Sequence, residues 1–131
     1  MRDIFPIIPE PKIFVFGSNE AGIHGAGAAR DAVDHYGAKR GKGHGLHGRS
    51  YAIPTKDRNL QTLPLPDIEV YVKHFLMFAE AHDDLVFFVT KIGCGLAGYD
   101  AVDIAPMFKS RPANVELPEE FLTIIEMEDL K

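Results

Sequence analysis

The sequence contains little cysteine and no long apolar run. Cys94 is the single cysteine in 131 residues, which excludes an internal disulfide framework and suits a reducing compartment. No apolar stretch approaches the ~20 residues of a membrane span, and the start at Met1-Arg2-Asp3 does not have the profile of a signal peptide. In a chain of 131 residues, a hydrophobic content of 46% supplies enough apolar side chains for one compact core but too few for two. We therefore expect a single cytoplasmic domain over residues 1–131.

An excess of basic charge is also missing. The chain has 14 basic and 19 acidic residues, a formal net charge of -5, and this balance argues against a surface that binds duplex nucleic acid. The charges are unevenly placed, however: residues 24–58 carry seven basic and three acidic groups, whereas residues 59–131 carry five basic and thirteen acidic groups. The charge distribution is therefore compatible with a local basic patch formed by residues 24–58.

Glycine is absent from most of the chain. All 12 glycines fall in two stretches, nine between Gly17 and Gly48 and three between Gly93 and Gly98. Such concentration is typical of positive backbone φ angles or of a main chain that closely approaches a ligand. Because the first stretch is also the basic one, a small anion such as a phosphate group is favoured over a polymer. The alternative is a solvated, flexible loop.

Apolar runs predict three strands and leave a fourth as a candidate. After a lead with prolines at positions 6, 9 and 11, a buried strand is predicted at Ile13–Phe16, ending at Gly17. Further strands are predicted at Tyr51–Ile53, ended by Pro54, and at Leu85–Val89. The run Phe121–Ile125 is a candidate for a last strand.

Helical periodicity appears three times. Small and apolar residues recur at helical spacing from Gly25 to Tyr36, with Gly37 as a C-terminal cap. The clearest pattern predicts a helix from Asp67 to His82. A helix from about Asp100 to Phe108, with Asp100 as the N-cap, is also predicted.

The order of these elements predicts an α/β fold with a mixed or parallel sheet and helices on both faces. In such sheets ligands bind beyond the carboxyl ends of the strands, and both glycine-rich loops begin there. A conventional dinucleotide-binding Rossmann unit is a poor match, because Arg30 stands where the third glycine of that fingerprint would be.

Three motifs carry a resemblance to a known family. They are Asn19 followed by His-Gly-Ala-Gly-Ala-Ala at 24–29, Tyr-Ala-Ile-Pro-Thr-Lys at 51–56, and Ile-Gly-Cys-Gly-Leu at 92–96. Together they resemble the macro domain superfamily of ADP-ribose-binding modules, in particular the terminal ADP-ribose glycohydrolase branch. The chain is also similar to a group of phage and prophage proteins of unassigned function. The resemblance covers roughly residues 12–108.

The resemblance implies a three-layer α/β/α macro-like fold with a mixed central sheet, and ADP-ribose across its edge. It places Asn19 near the distal ribose and the diphosphate between residues 25–28 and 93–96. From the residue itself, Asn19 offers a donor and an acceptor to a ribose hydroxyl, or else it turns the chain. The expected ligand-binding residues are Ser18, Asn19, His24, Gly25, Ala26, Gly27, Ala28, Thr55, Gly93, Cys94, Gly95, Leu96, Ala97, Gly98 and Tyr99.

The resemblance also implies a catalytic pair, of which one member is missing. Lys56 matches the lysine that this branch uses as a nucleophile on the anomeric carbon, although it could equally be a solvated lysine in a turn. The branch's catalytic aspartate falls at Ala97, so efficient hydrolysis is not expected. Asp100 is a substitute acid or a helix cap, and we favour the cap.

Three further features have competing interpretations. His44 and His47, with His24 upstream, have metal-ligand spacing but no carboxylate or thiolate partner, so contact with phosphate or ribose suits them better and no metal is expected. Cys94 fits a tight loop better than a nucleophilic role, although a helix start just beyond it could lower its pKa. Tyr99 stacks on a base or ribose, or belongs to the core.

The leading functional hypothesis is a binding module for ADP-ribose or a related NAD-derived nucleotide, without a further cofactor. The second is an ADP-ribosyl hydrolase that uses Lys56, with an ADP-ribosylated protein or nucleic acid as its partner. The third is a phage-encoded protein that sequesters a nucleotide signal. The sequence does not rank the exact ligand or the oligomeric state.

Overall fold

The computed structural model describes residues 12–130; the proline-containing lead at 6, 9 and 11 and the chain's first residues lie outside them. The elements in chain order are β1 (Ile13–Asn19), α1 (Gly27–Tyr36), β2 (Gly45–His47), β3 (Ser50–Lys56), α2 (Leu65–Ala81), β4 (Phe87–Val89), α3 (Ala101–Ile104), a 3₁₀ turn (Ala105–Phe108), β5 (Val115–Glu116) and α4 (Glu119–Asp129). No helix among these is long and apolar enough to cross a membrane.

The strands form one mixed sheet in the order β2-β3-β1-β4-β5. β1 runs parallel to both of its neighbours, β3 and β4, and β5 continues parallel to β4. Only β2 is antiparallel, paired with β3. The carboxyl ends of the three central strands therefore meet at one edge, as the predicted α/β fold requires.

Alternating side chains of β1 bury into two separate cores. Phe14 and Phe16 pack with the small residues of α1 on one face. Ile13 and Val15 face the other way, into the larger core formed with α2, α4 and the 3₁₀ turn. Since a strand presents successive side chains to opposite faces, a wholly apolar strand implies helices on both sides. This arrangement confirms the predicted three-layer α/β fold.

The predicted helices at 25–36 and 67–82 are present, each with boundaries within two residues of those expected. Gly37 caps α1 with a left-handed φ of 80°, and its N–H donates to Ala32 O. Asp100 is the N-cap of α3, and its N–H donates to Asp103 Oδ2 at 3.2 Å. The predicted third helix is an α-helical turn that tightens into a 3₁₀ turn.

The prediction that Pro54 ends its strand is wrong, because β3 continues to Lys56. Phe14 N–H donates to Arg49 O, so in the regular part of the pairing Tyr51 and Ile53 bond to β1 and the nitrogen of Pro54 faces the β2 side. β2 ends opposite Ala52, where Gly45 pairs with it. The missing N–H of Pro54 therefore leaves no ladder bond unmade. β1 likewise continues past Gly17, to Asn19.

The candidate last strand at Phe121–Ile125 is also wrong, because these residues lie within α4. Phe121 and Ile125 are both buried, and their separation of four residues places them on one helical face. The last strand is the two-residue β5 at Val115–Glu116. Edge strand β2, which lies in the basic glycine-rich segment, was not predicted.

Candidate functional site

A cleft of about 840 Å³ opens at the carboxyl ends of β1, β3 and β4. Both glycine-rich loops reach it: the first follows β1 and leads into α1, and the second follows β4. Thirteen of the sequence-predicted residues line this cleft, namely Ser18, Asn19, Gly25, Ala26, Gly27, Ala28, Thr55, Lys56, Gly93, Cys94, Gly95, Leu96 and Ala97. The topology thus brings together segments that are more than 60 residues apart in the chain.

The charged side chains that line the cleft are both basic. Among residues 12–130, these are Lys56, at the end of β3, and Lys91, just after β4; no carboxylate lines it. Lys91 pairs with Glu120 of α4 at 2.8 Å, and this contact raises the pKa of the exposed lysine. The rest of the lining is mostly apolar. Such a surface favours a ligand that is part anion and part apolar ring.

The first glycine-rich loop exposes main-chain amides at the start of α1. The N-cap is Ala26, whose side chain has no oxygen, and the first helical turn bond runs from Arg30 N–H to Ala26 O at 3.3 Å. The amides of residues 27–29 precede this bond and so have no acceptor inside the helix. Gly27 has a φ of 61°, and no atom lies within 4 Å of where a Cβ would stand at Gly25 or Gly27. This turn can accommodate a phosphate.

The second loop is fixed on its core side and open on its cleft side. Gly93 has a φ of 76°, and a Cβ there would lie 2.9 Å from Ile104 Cδ1. Two backbone bonds close the loop: Tyr99 N–H donates to Gly93 O at 2.9 Å and Gly98 N–H to Gly95 O at 3.0 Å. A Cβ at Gly95 would meet no atom within 4 Å. The loop is therefore a defined shape with room above Gly95.

Asn19 lies at the cleft, but its amide group is used in folding the loop that follows. Its Nδ2 donates to Ile23 O at 2.7 Å, and its Oδ1 accepts from Ile23 N–H at 2.9 Å. The side chain is 8% exposed. Asn19 therefore forms a turn, as one of its two interpretations expects. A ribose could contact only the second N–H of its amide and the remaining lone pairs of its oxygen.

Ser18 and Thr55 also line the cleft while bonding inward. Ser18 Oγ donates to Gly43 O, and Thr55 Oγ1 donates to Ser18 O at 3.2 Å. Gly43 is required here, because a Cβ on it would lie 1.9 Å from Asn19 O. The Ser18 hydroxyl thus joins the cleft floor to Gly43, and the Thr55 hydroxyl joins β3 to β1.

Lys56 and Ala97 belong to the same end of the cleft. Lys56 forms an isolated antiparallel bridge with Thr62, and Thr62 Oγ1 donates to Ala97 O at 2.9 Å. Both residues line the cleft. The structure thus brings the lysine close to the position where the resemblance expects an aspartate and the chain has a methyl group.

Four sequence-predicted residues are not among the described residues that line the cleft: His24, Gly98, Tyr99 and Asp100. The Tyr99 hydroxyl donates to Leu63 O at 2.7 Å and its ring packs on the larger core, so the core interpretation of Tyr99 is the one the structure supports. Asp100 is engaged as the cap of α3. Gly98, with a φ of 88°, turns the loop back toward α3.

His24 is a buried residue of the first loop. It is 5% exposed, packs edge-on against Phe16 at a centroid distance of 5.4 Å, and its Nε2 lies 3.2 Å from Lys42 O. Burial lowers its pKa, and the nearby cation of Arg40 acts in the same direction. His24 therefore supports the loop as a neutral ring.

The other residues with competing interpretations are also placed. Burial raises the pKa of Cys94 to about 11, so the thiol stays protonated at neutral pH, against the alternative that a helix start lowers its pKa and in line with the favoured non-nucleophilic interpretation. His47 Nε2 lies 3.2 Å from His44 O. Within residues 12–130, no group of three or more metal-ligating side chains is arranged to hold an ion.

Sequence reasoning missed the apolar wall of the cleft and its second lysine. The additional lining residues are Gly17, Ile23, Ala29, Leu60, Phe88, Val89, Thr90, Lys91, Ile92, Leu117 and Pro118. Lys91 had a usable signal, because it comes two residues after one predicted strand, much as Lys56 comes three residues after another. Leu117 and Pro118 come from the connection between β5 and α4, which the sequence did not place beside the cleft.

Comparisons of the chain with known protein families, with characterised proteins and with solved structures give no match.

Proposed function

We propose that this chain is a macro-like module that binds ADP-ribose or a related NAD-derived nucleotide. The diphosphate would lie on the main chain of residues 25–28 and 93–96. Lys56 and Lys91 would supply the positive charge, and the apolar wall would receive the ring system. The proposal is supported by the cleft's chemistry together with the resemblance of its loops.

One observation carries this proposal: two glycine-rich loops, from neighbouring parallel strands, face one cleft whose charged lining is entirely basic. Unsatisfied amides at a helix start and lysines are the groups that bind phosphate in proteins. The volume of about 840 Å³ lies within the range of small-molecule sites and exceeds what a lone phosphate needs. A nucleotide fits both the polar and the apolar parts of this surface.

The sharpest test is a bulky substitution at Gly95. A Cβ there meets no neighbouring atom, and Gly95 is not in the left-handed region, so Gly95→Val should fold normally while filling the space between the loops. We expect Gly95→Val to weaken ADP-ribose binding by at least about 100-fold in calorimetry, because the diphosphate loses its close approach to the main chain. Gly27 is a poorer probe, since its φ of 61° makes any side chain there strained.

Ala113→Val is the matched control, because it adds apolar bulk at an exposed position outside the cleft. It should leave both the melting temperature and the affinity unchanged. Wild-type affinity in the Gly95→Val protein, or an unchanged melting temperature of the wild-type protein with ADP-ribose, NAD, cyclic ADP-ribose and ATP alike, would contradict the proposal.

A second candidate function is favoured by the position of Lys56 at the cleft, beside Ala97 through Thr62. An ADP-ribosyl hydrolase would use Lys56 as a nucleophile on the ribose of an ADP-ribosylated macromolecule. The missing acid makes this activity weak or absent in the natural sequence, and an acid restored at position 97 would increase it.

A further inference from the structure

A second, smaller pocket lies behind the Asn19–Glu20 segment. Its volume is about 230 Å³, and it is lined by Glu20, Gly43, His44, Pro54, Arg58 and Tyr71. Glu20 directly follows β1, and its N–H donates to Lys56 O at 2.9 Å. Asn19 and Lys56 line the cleft, whereas Glu20 and Pro54 line this pocket. None of its lining residues belongs to the cleft.

The carboxylate of Glu20 is held in place with part of its acceptor capacity unused. Tyr71 donates its hydroxyl to Glu20 Oε2 at 2.5 Å, and this bond raises the pKa of Tyr71 to about 12. Within the described part of the chain, no lysine, arginine or histidine lies within ion-pair distance of Glu20. Oε1 can therefore accept a hydrogen bond from a molecule in the pocket.

Arg58 brings the opposite charge to the same pocket. Between residues 12 and 130 its guanidinium forms no ion pair or hydrogen bond, although it lines the pocket with Glu20. The two charges cancel, so the pocket does not favour a phosphate, and it does not favour a simple cation either. It favours a neutral group that donates to the carboxylate and accepts from the guanidinium.

Aromatic rings and a rigid floor shape the remaining surface. The ring of His44 lies 5.1 Å from that of Tyr71 and 6.0 Å from that of His74. His44 is exposed as a whole residue, but partial desolvation of its ring and the neighbouring histidines lower its pKa, so the ring adds no charge at neutral pH. The floor at Gly43 packs directly on the backbone of Asn19. Flat rings and a small volume suit a planar ligand.

We propose that this pocket binds a small planar heterocycle that carries an amide edge, with its N–H donating to Glu20 and its C=O accepting from Arg58. A pyridine carboxamide such as nicotinamide and a lactam nucleobase such as uracil share this edge. The ring packs against His44 and Tyr71. The site is independent of the nucleotide cleft, and its test does not require ADP-ribose to bind.

The test is a ¹H–¹⁵N correlation titration of the full chain with nicotinamide and, separately, with uridine. We expect saturable shifts at residues 20, 43, 44 and 71 with at least one of the two. N,N-dimethylnicotinamide, which has the ring and the carbonyl but no amide N–H, should not produce them. Shifts with nicotinamide alone support the carboxamide source, and shifts with uridine alone support the nucleobase.

Glu20→Gln and Arg58→Gln should each weaken this binding by about tenfold or more, as expected for loss of a charge-assisted hydrogen bond. Arg58 lacks contacts that the fold needs, so its variant stays informative if Glu20→Gln unfolds. Glu69→Gln, on the exposed side of α2, is the matched control and should bind normally. Absence of shifts with both ligands, or undiminished binding in Arg58→Gln, would overturn the proposal.

Discussion

At the scale of single residues, position 97 has the largest consequence for chemistry. Ala97 has only a methyl side chain, and its carbonyl accepts from Thr62, the residue that pairs with Lys56. Under the proposed function, the anomeric carbon of ADP-ribose would lie at this part of the cleft. A lysine that attacks this carbon without a partner acid has no ready way to protonate the leaving group. Such a protein would turn over slowly or retain a covalent adduct.

We therefore predict that Ala97→Asp increases hydrolysis of ADP-ribosylated protein by about 100-fold or more, the range typical of a general acid. Release of free ADP-ribose, followed by chromatography, measures the rate. Ala97→Asn has the same shape but no ionisable proton and should not show the gain. Adding Lys56→Ala to Ala97→Asp should remove it.

Robust turnover by the natural sequence that survives Lys56→Ala would contradict this view. Catalysis would then have to move to other groups, with Asp100 or the histidines near His44 as the remaining candidates. Asp100 is poorly placed to act as the acid, because it does not line the cleft and it caps α3.

Residue-level prediction succeeded where one residue type decides a backbone shape. Gly37 ends α1, as its place after a periodic run indicated, and Gly93 and Gly98 have the positive φ angles that the clustering of glycines suggested. It was less successful for polar side chains, because sequence does not show what else competes for their hydrogen bonds. Asn19 is the example: the sequence reveals a donor and an acceptor, and only the fold shows that Ile23 binds both.

At the scale of elements, Asn114 joins the end of α2 to the beginning of β4. Its Nδ2 lies within hydrogen-bond distance of three carbonyl oxygens, those of Ala79 at 2.9 Å, His82 at 3.1 Å and Leu85 at 3.0 Å. The carbonyls at a helix C-terminus have no partner within the helix. Asn114 therefore acts as a C-terminal cap supplied from the loop before β5.

We expect Asn114→Ala to reduce the free energy of unfolding by about 1 kcal/mol, because three partly buried hydrogen bonds are lost while Ala79 O and His82 O keep the backbone N–H donors of His82 and Leu85. Urea denaturation followed by circular dichroism measures the change. Asn59→Ala is the control: that side chain lies in an exposed turn, and the turn is held by Asp57 Oδ1 accepting from the backbone N–H groups of Asn59 and Gln61. Equal destabilisation by both substitutions would contradict the capping role.

Elements whose apolar residues recur regularly over several turns could be predicted from the sequence. Elements that depend on their tertiary partners could not. The helix Leu65–Ala81 repeats apolar residues over several turns, so its pattern is unambiguous. The run Phe121–Ile125 is short and apolar, and such a run fits a strand as well as a helix until its neighbours are known. β2 has no apolar alternation and is defined by its backbone pairing with β3.

At the scale of the whole molecule, parallel topology determines which segments form the site. β1, β3 and β4 are adjacent and parallel, so the loops that leave them must share one edge. The shared edge of the two glycine-rich loops follows from the parallel strands expected of an α/β fold. The apolar wall at Leu117 and Pro118 does not, because it depends on the pairing of β5 with β4, and β5 was not predicted from the sequence.

Buried His24, in the first loop, makes the stability of the whole molecule depend on pH. Burial lowers the pKa of His24 below the ordinary value of 6.5, so the unfolded chain takes up a proton at a higher pH than the folded chain does. Stability is therefore retained above pH 6.5 and lost as the pH falls from 6.5 through the folded-state pKa. For one proton the slope reaches at most about 1.4 kcal/mol per pH unit.

We predict that the melting temperature falls as the pH decreases from 7 to 5, and that His24→Gln reduces this dependence. Differential scanning calorimetry at several pH values gives the slope, which separates the titration of His24 from any constant loss of packing against Phe16. His35→Gln, at an exposed position on α1, is the control and should keep the wild-type slope. An unchanged slope in His24→Gln would show that His24 does not link folding to protonation, because removing the titrating ring must remove its proton uptake.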